Sequence, residues 1–195
     1  IEQMSHTENQ LIELWQKIDS LNSVGIIDTT LINTFLSSAK SFSENNPEAP
    51  NVPNILLNAG QLTMVLAKIS EDPIERAKNA KDALDIFNKF QMIYPENPNI
   101  KYCYFHRGTI YDDILEDYRS AENEFRELIH RFPDDSLSIN ISAYIQYLGK
   151  TPEQIMAEIE KQTETELPET ETPQTPPKKS KKRLKRLAIV LCSVF

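Results

Sequence analysis

The sequence predicts an all-α protein of antiparallel helix hairpins stacked side by side, and two observations carry that prediction. Over most of the first 160 positions, apolar residues recur at spacings of three and four, the pattern of helices with one buried face. Two stretches, residues 83–95 and 121–133, share the template A-x3-F-x7-P. In each, an alanine marks a close helix contact, a phenylalanine follows one turn later, and a proline ends the helix. Such a helix is the second half of a helix-turn-helix unit, which buries its apolar face only when units stack. Stacked units of this kind bind protein partners.

Composition agrees. The chain has 195 residues, 39% hydrophobic and 26% charged, with only four glycines, which suits helices better than sheets. Seven of the 21 basic residues fall within 178–186, leaving 14 against all 29 acidic residues over positions 1–177, a net of about −15. An acidic body repels phosphate backbones, so nucleic-acid binding by the folded part is not expected. Cys103 and Cys192 lie on very different segments and do not make a disulfide framework. The sequence opens at Ile1 with no signal segment, which reads as a processed chain or a fragment.

In chain order, residues 6–21 form a first helix, with Leu11, Leu14, Ile18 and Leu21 on its face; two heptads are too few to define a coiled coil. After a break at 22–25, Asp28 or Thr29 caps a second helix running to 44, and these two make an N-terminal hairpin over residues 1–50. A third helix follows residues 51–53, with Leu56, Leu57, Gly60, Leu62, Met64, Val65 and Ile69 on its face. Asp72, Pro73 and Glu75 form a capping-box pattern that starts the next helix, which runs to about Ile93. Residues 100–115 make one continuous helix, and the turn at Glu116 and Asp117 leads into the helix of the second template. A helix capped at residues 134–136, with Ile139, Ile141, Tyr144, Ile145 and Leu148 inward, is closed by Gly149. A last helix spans 152–161 with Ile155, Met156 and Ile159 inward. Residues 163–177, rich in proline, threonine and glutamate, read as a disordered linker before a basic and apolar tail at 178–195.

The hairpins of residues 51–162 resemble tetratricopeptide repeats. In that family a glycine and an aromatic on the first helix face an alanine and an aromatic on the second, with a proline after it. Gly108, Tyr111, Tyr118, Ala121, Phe125 and Pro133 match, with one extra residue in the turn between the helices; Gly60, Ala83, Phe87 and Pro95 match in the preceding unit. The two prolines are 38 residues apart and the two glycines 48, so the repeats are degenerate. Residues 126–135 (RELIHRFPDD) and 147–155 (YLGKTPEQI) are similar to bacterial cell-envelope tetratricopeptide proteins of the Bacteroidetes type. The resemblance implies a short right-handed superhelix and a non-enzymatic scaffold, on the periplasmic side of the envelope. Its partner would lie in a concave groove lined by Asn54, Leu57, Gln61, Tyr102, Phe105 and Thr109. The lipid-bearing cysteine near the family's start is not in this sequence.

Little chemistry competes with this reading. Cys103 and His106 have a ligand-like spacing on one helix, but no second pair accompanies them, and packing is the expected role. His130 near a helix end reads as a stabilising cation site. Asp112, Asp113, Glu116 and Asp117 lack the pattern of a calcium loop and read as a solvated turn. No phosphate loop, nucleophile elbow or H-E-x-x-H motif is present, so no catalysis, metal, cofactor or small-molecule substrate is expected. The nine residues after the basic run are too few to span a bilayer. They point instead to association with anionic lipid, and if a full helix followed them, the basic run would hold the body on the cytoplasmic face. The alternatives to a partner-binding scaffold are a self-associating structural protein and a membrane-anchored adaptor.

Overall fold

The structure, a computed structural model, describes residues 2–151 and 153–158. Two compact units divide the chain, Ile1–Thr151 and Pro152–Phe195. The first contains α1 (Glu2–Ser23), α2 (Thr29–Asn45), α3 (Val52–Ile69), α4 (Pro73–Ile93), α5 (Ile100–Thr109), α6 (Tyr118–Arg131) and α7 (Ser136–Tyr144). A π-helical turn, Ile110–Ile114, prolongs α5, and a 3-10 turn, Ile145–Tyr147, follows α7. No strand occurs among the described residues. In the second unit, residues 153–158 are helical, with Ile155 half-buried and Met156 exposed rather than inward. Ile159, the linker at 163–177 and the tail at 178–195 lie outside the described residues.

Local chemistry sets the helix ends. The carboxylates of Asp28, Asp72, Asp117 and Asp135 accept from Leu31 N, Ile74 N, Ser120 N and Leu137 N at 3.0, 3.0, 3.1 and 2.9 Å. A cap of this kind contributes about 1 kcal/mol. Glu75 does not complete the expected box; its carboxylate accepts from Ser70 Oγ instead. Pro95 and Pro133 directly follow Tyr94 and Phe132, whose N–H groups close the last turns of α4 and α6 on Phe90 O and Leu128 O. Gly25 and Gly149 take φ of +77° and +71°, conformations that release the chain after α1 and after the 3-10 turn.

Each helix packs on the next in sequence, α3 on α4 most extensively. A Cβ added at Gly60 would stand 2.6 Å from Phe87 Cε1, so the Phe87 ring occupies the notch that the glycine leaves. Phe125 fills the notch at Gly108 in the same way. Ala83, Phe87, Ala121 and Phe125 are fully buried in one continuous core that runs from Leu11 and Ile18 to Leu128 and Ile141.

Several expectations for these helices change. Residues 100–115 are not a uniform α-helix: Leu115 N bonds to Ile110 O, five residues back, so the extra residue is taken up inside the helix as a wider turn. Helix α7 ends at Tyr144, not 148, and Ile139 is 60% exposed because α7, the last helix of its unit, covers α6 with one face only. Ile69, at the very end of α3, is also exposed.

Candidate functional site

Asn54, Gln61 and Lys68 recur every seven residues along α3, as do Asn99, His106 and Asp113 from the start of α5 to its π-helical turn. Seven residues are nearly two helical turns, so each set falls on one line along its helix. The two lines meet. Asn99 Nδ2 donates to Asn54 Oδ1 at 3.2 Å, Gln61 Nε2 lies 2.9 Å from His106 Nε2, and Lys68 Nζ donates to Asp113 Oδ2 at 3.1 Å. All three pairs are 45 residues apart. A constant separation requires that α3 and α5 run the same way without slipping. At the next step, Lys101 Nζ reaches Asp135 Oδ2 at 2.5 Å and Tyr144 O–H donates to Asp112 Oδ2 at 2.5 Å. These contacts join start to start and end to end, so α7 is also parallel to α5.

The six groove residues expected from the sequence separate by burial. Leu57, Phe105 and Thr109 are buried, Gln61 is half-buried, and Asn54 and Tyr102 are exposed. Aligning the glycines pairs Gly60 with Gly108 and so sets Tyr102 opposite Asn54. The seam is three residues out of step with that alignment, which puts Asn99 opposite Asn54 and brings Tyr102 beside Leu57. Asn99 was therefore missed, and His106, expected to pack, was not placed on this face; a signal was present, as polar residues at heptad spacing along both helices. The accessible part of this face is Asn54, Asn99, Gln61 and Tyr102. Among the packing residues, Tyr111 is half-buried, and Tyr118 is 41% exposed with its ring beneath Gly149.

No family model matches the chain, and no curated protein is significantly similar to it. The reading of this face therefore rests on its geometry.

His106 is the centre of the seam. Its ring is buried, stacks on Phe87 at 5.2 Å and meets the edge of Phe105 at 5.3 Å. Gln61 Nε2 lies against Nε2 of the ring at 2.9 Å, and the other ring nitrogen, Nδ1, has no partner. Burial, with a smaller contribution from Lys68, lowers the imidazole to about 4. Cys103, its expected companion, is a buried thiol pushed up to about 12 by desolvation, which rules out an accessible thiolate. Among the described residues, no group of three or more His, Cys, Asp or Glu side chains could hold a metal ion.

Arg107 points away from the seam and ties α5 to both second helices. Its guanidinium donates to Asn88 Oδ1 at 2.9 Å, to Gln91 Oε1 and to Glu124 Oε2 at 2.7 Å, and it lies over the Tyr104 ring at 5.0 Å. Gln91 Nε2 in turn donates to Tyr104 Oη at 2.7 Å. Only Arg107 Nε lacks a partner.

The acidic run at 112–117 is solvent-exposed at Asp113, Glu116 and Asp117, but not at Asp112. The π-helical turn carries Asp112 inward to Tyr144, where burial raises its carboxyl above the usual range. Asp113 takes Lys68, and Asp117 caps α6, its carboxyl lowered by the Ser120 hydroxyl and N–H. Glu116 adopts φ +54°, a conformation uncommon outside glycine, at the end of this turn. His130 sits exposed in the last turn of α6. A shallow polar depression on α2, lined by Ser37, Ser41, Phe42, Asn45 and Asn46, is remote in sequence from these groups.

Proposed function

We propose that this chain is a protein-binding scaffold of tetratricopeptide-like construction, which holds a partner segment along the face shared by α3 and α5 and performs no catalysis of its own. The observation that carries the reading is the in-register seam. It keeps two parallel helices side by side, with Asn54, Gln61 and Tyr102 along one stripe. The glycine notches filled by Phe87 and Phe125 support the repeat construction, since two hairpins use the same contact to close on themselves. The superhelix implied by the family resemblance belongs to this proposal.

The partner chemistry follows from what the face offers. Three amides and a tyrosine are accessible, with no pair of free cations to clamp a carboxylate. An extended or helical segment held by apolar and amide contacts fits such a face better than a peptide C-terminus. The bacterial cell envelope is the setting that the resemblance implies. The seven basic residues within 178–186, beside an apolar end, favour membrane contact as a second function. No helix among the described residues is long and apolar enough to cross a membrane.

The test is affinity capture with the intact chain and with Gln61→Ala combined with Tyr102→Ala. Loss of specific partners from the double variant is the expected result, and retention of every partner would remove the proposal. A chain that scatters light as an oligomer whose interface covers the α3–α5 face would favour self-assembly instead.

A further inference from the structure

We propose that the α3–α5 seam is an acid-operated joint, in which protonation of His106 opens the seam at its centre while the hairpins on either side remain folded. The geometry leaves no place for an imidazolium. The ring is 8% exposed and lies against Phe87 and Phe105. A protonated ring carries two N–H donors. The Gln61 amide can turn its oxygen to accept from Nε2–H, but the second donor sits at Nδ1, where no acceptor is present.

The surrounding charges do not repair this. Across the seam α3 presents Lys68, a cation one heptad away, and α4 presents the neutral Phe87. Arg107, the next residue in the same helix, is turned toward Glu124 of α6. In the π-helical turn, Asp113 is taken by Lys68 and Asp112 by Tyr144, so neither carboxylate serves the ring. Asp112 acts in the opposite sense. Its carboxyl is buried, so acid relieves the cost of keeping it charged instead of adding to it. Within each hairpin, the Phe87–Gly60 and Phe125–Gly108 contacts are apolar and contain no titrating group. The seam between hairpins is the element that acid addresses.

Opening the seam would also disperse Asn54, Gln61 and Tyr102, and so release a bound segment; that consequence rests on the groove reading above. The joint itself is tested without a partner, by hydrogen exchange of the full chain at pH 7.5 and 5.0, corrected for intrinsic rates. At pH 5.0 the amides in the central turns of α3 and α5 should exchange at least tenfold faster, and by a larger factor than those of α1, α2 and α6. His106→Gln should abolish the difference. An equal acceleration in His106→Gln, or a uniform acceleration across all helices, would overturn the joint. Should that variant fail to fold, the His106 ring signals of the parent chain provide the second measurement: their titration midpoint must coincide with that of seam exchange, and a mismatch overturns the proposal. A partner retained at pH 5.0 on an opened seam would count against the groove and leave the joint standing.

Discussion

Replacing Gly60 with alanine sets two effects of opposite sign against each other, and the structure decides between them. Alanine in place of a mid-helix glycine stabilises by about 0.5–1 kcal/mol through backbone entropy. Here the new methyl would lie 2.6–3.0 Å from three atoms of the Phe87 ring. That ring is 0% exposed and is held on its other side by His106, stacked at 5.2 Å, so it has nowhere to retreat. Overpacking of this kind costs about 1–3 kcal/mol. The net expectation is a loss of about 1–2 kcal/mol, read as a lower urea midpoint in far-ultraviolet circular dichroism. The sign should reverse once the obstacle shrinks. In a Phe87→Leu background, itself weaker by about 1–3 kcal/mol, Gly60→Ala should stabilise, which gives a coupling of about 2 kcal/mol. If Gly60→Ala stabilises the parent chain, or if the two changes simply add, the close approach of α3 and α4 at this notch is wrong.

Three further outcomes are expected. Ala83→Leu and Ala121→Leu each overpack a fully buried contact and should cost on the order of 1–3 kcal/mol; parental melting of both would place these residues elsewhere. His106 is kept neutral by the fold, its value lowered from 6.5 to about 4, so its contribution is fully present above pH 6.5 and is lost as pH falls toward 4. The full loss is about 3 kcal/mol by proton linkage, and His106→Gln should flatten this part of the stability profile; an unchanged slope would refute it. Removal of residues 178–195 should abolish co-sedimentation with anionic vesicles, and equal binding with and without them would dispose of membrane contact through the tail.

By itself the sequence determined what depends on neighbours within a few residues. The aspartates at 28, 72, 117 and 135 stand before helices because their side chains reach N–H groups two or three residues on, and Pro95 and Pro133, lacking an N–H to continue the ladder, end the helices they follow. The A-x3-F-x7-P template was legible for the same reason, since alanine and phenylalanine one turn apart mark a single face. Only the tertiary structure decided how one hairpin meets the next. Gly60 and Gly108 are each fixed by a phenylalanine of their own hairpin, whereas the seam is fixed by polar pairs between hairpins, and nothing requires the two registers to share an origin. Counting from the glycines therefore ran three residues out of step, and Asn99 and His106 were not placed on the face shared with α3. The π-helical turn was hidden too, because an extra residue reads alike whether it widens a helix or lengthens a loop. Its place inside the helix is what sends Asp112 to Tyr144 and Asp113 to Lys68, turning an acidic run into two separate ties. Burial has the same origin: whether Phe105 or Tyr102 meets solvent depends on what packs against α5 from far along the chain, and spacing within one helix carries no record of that.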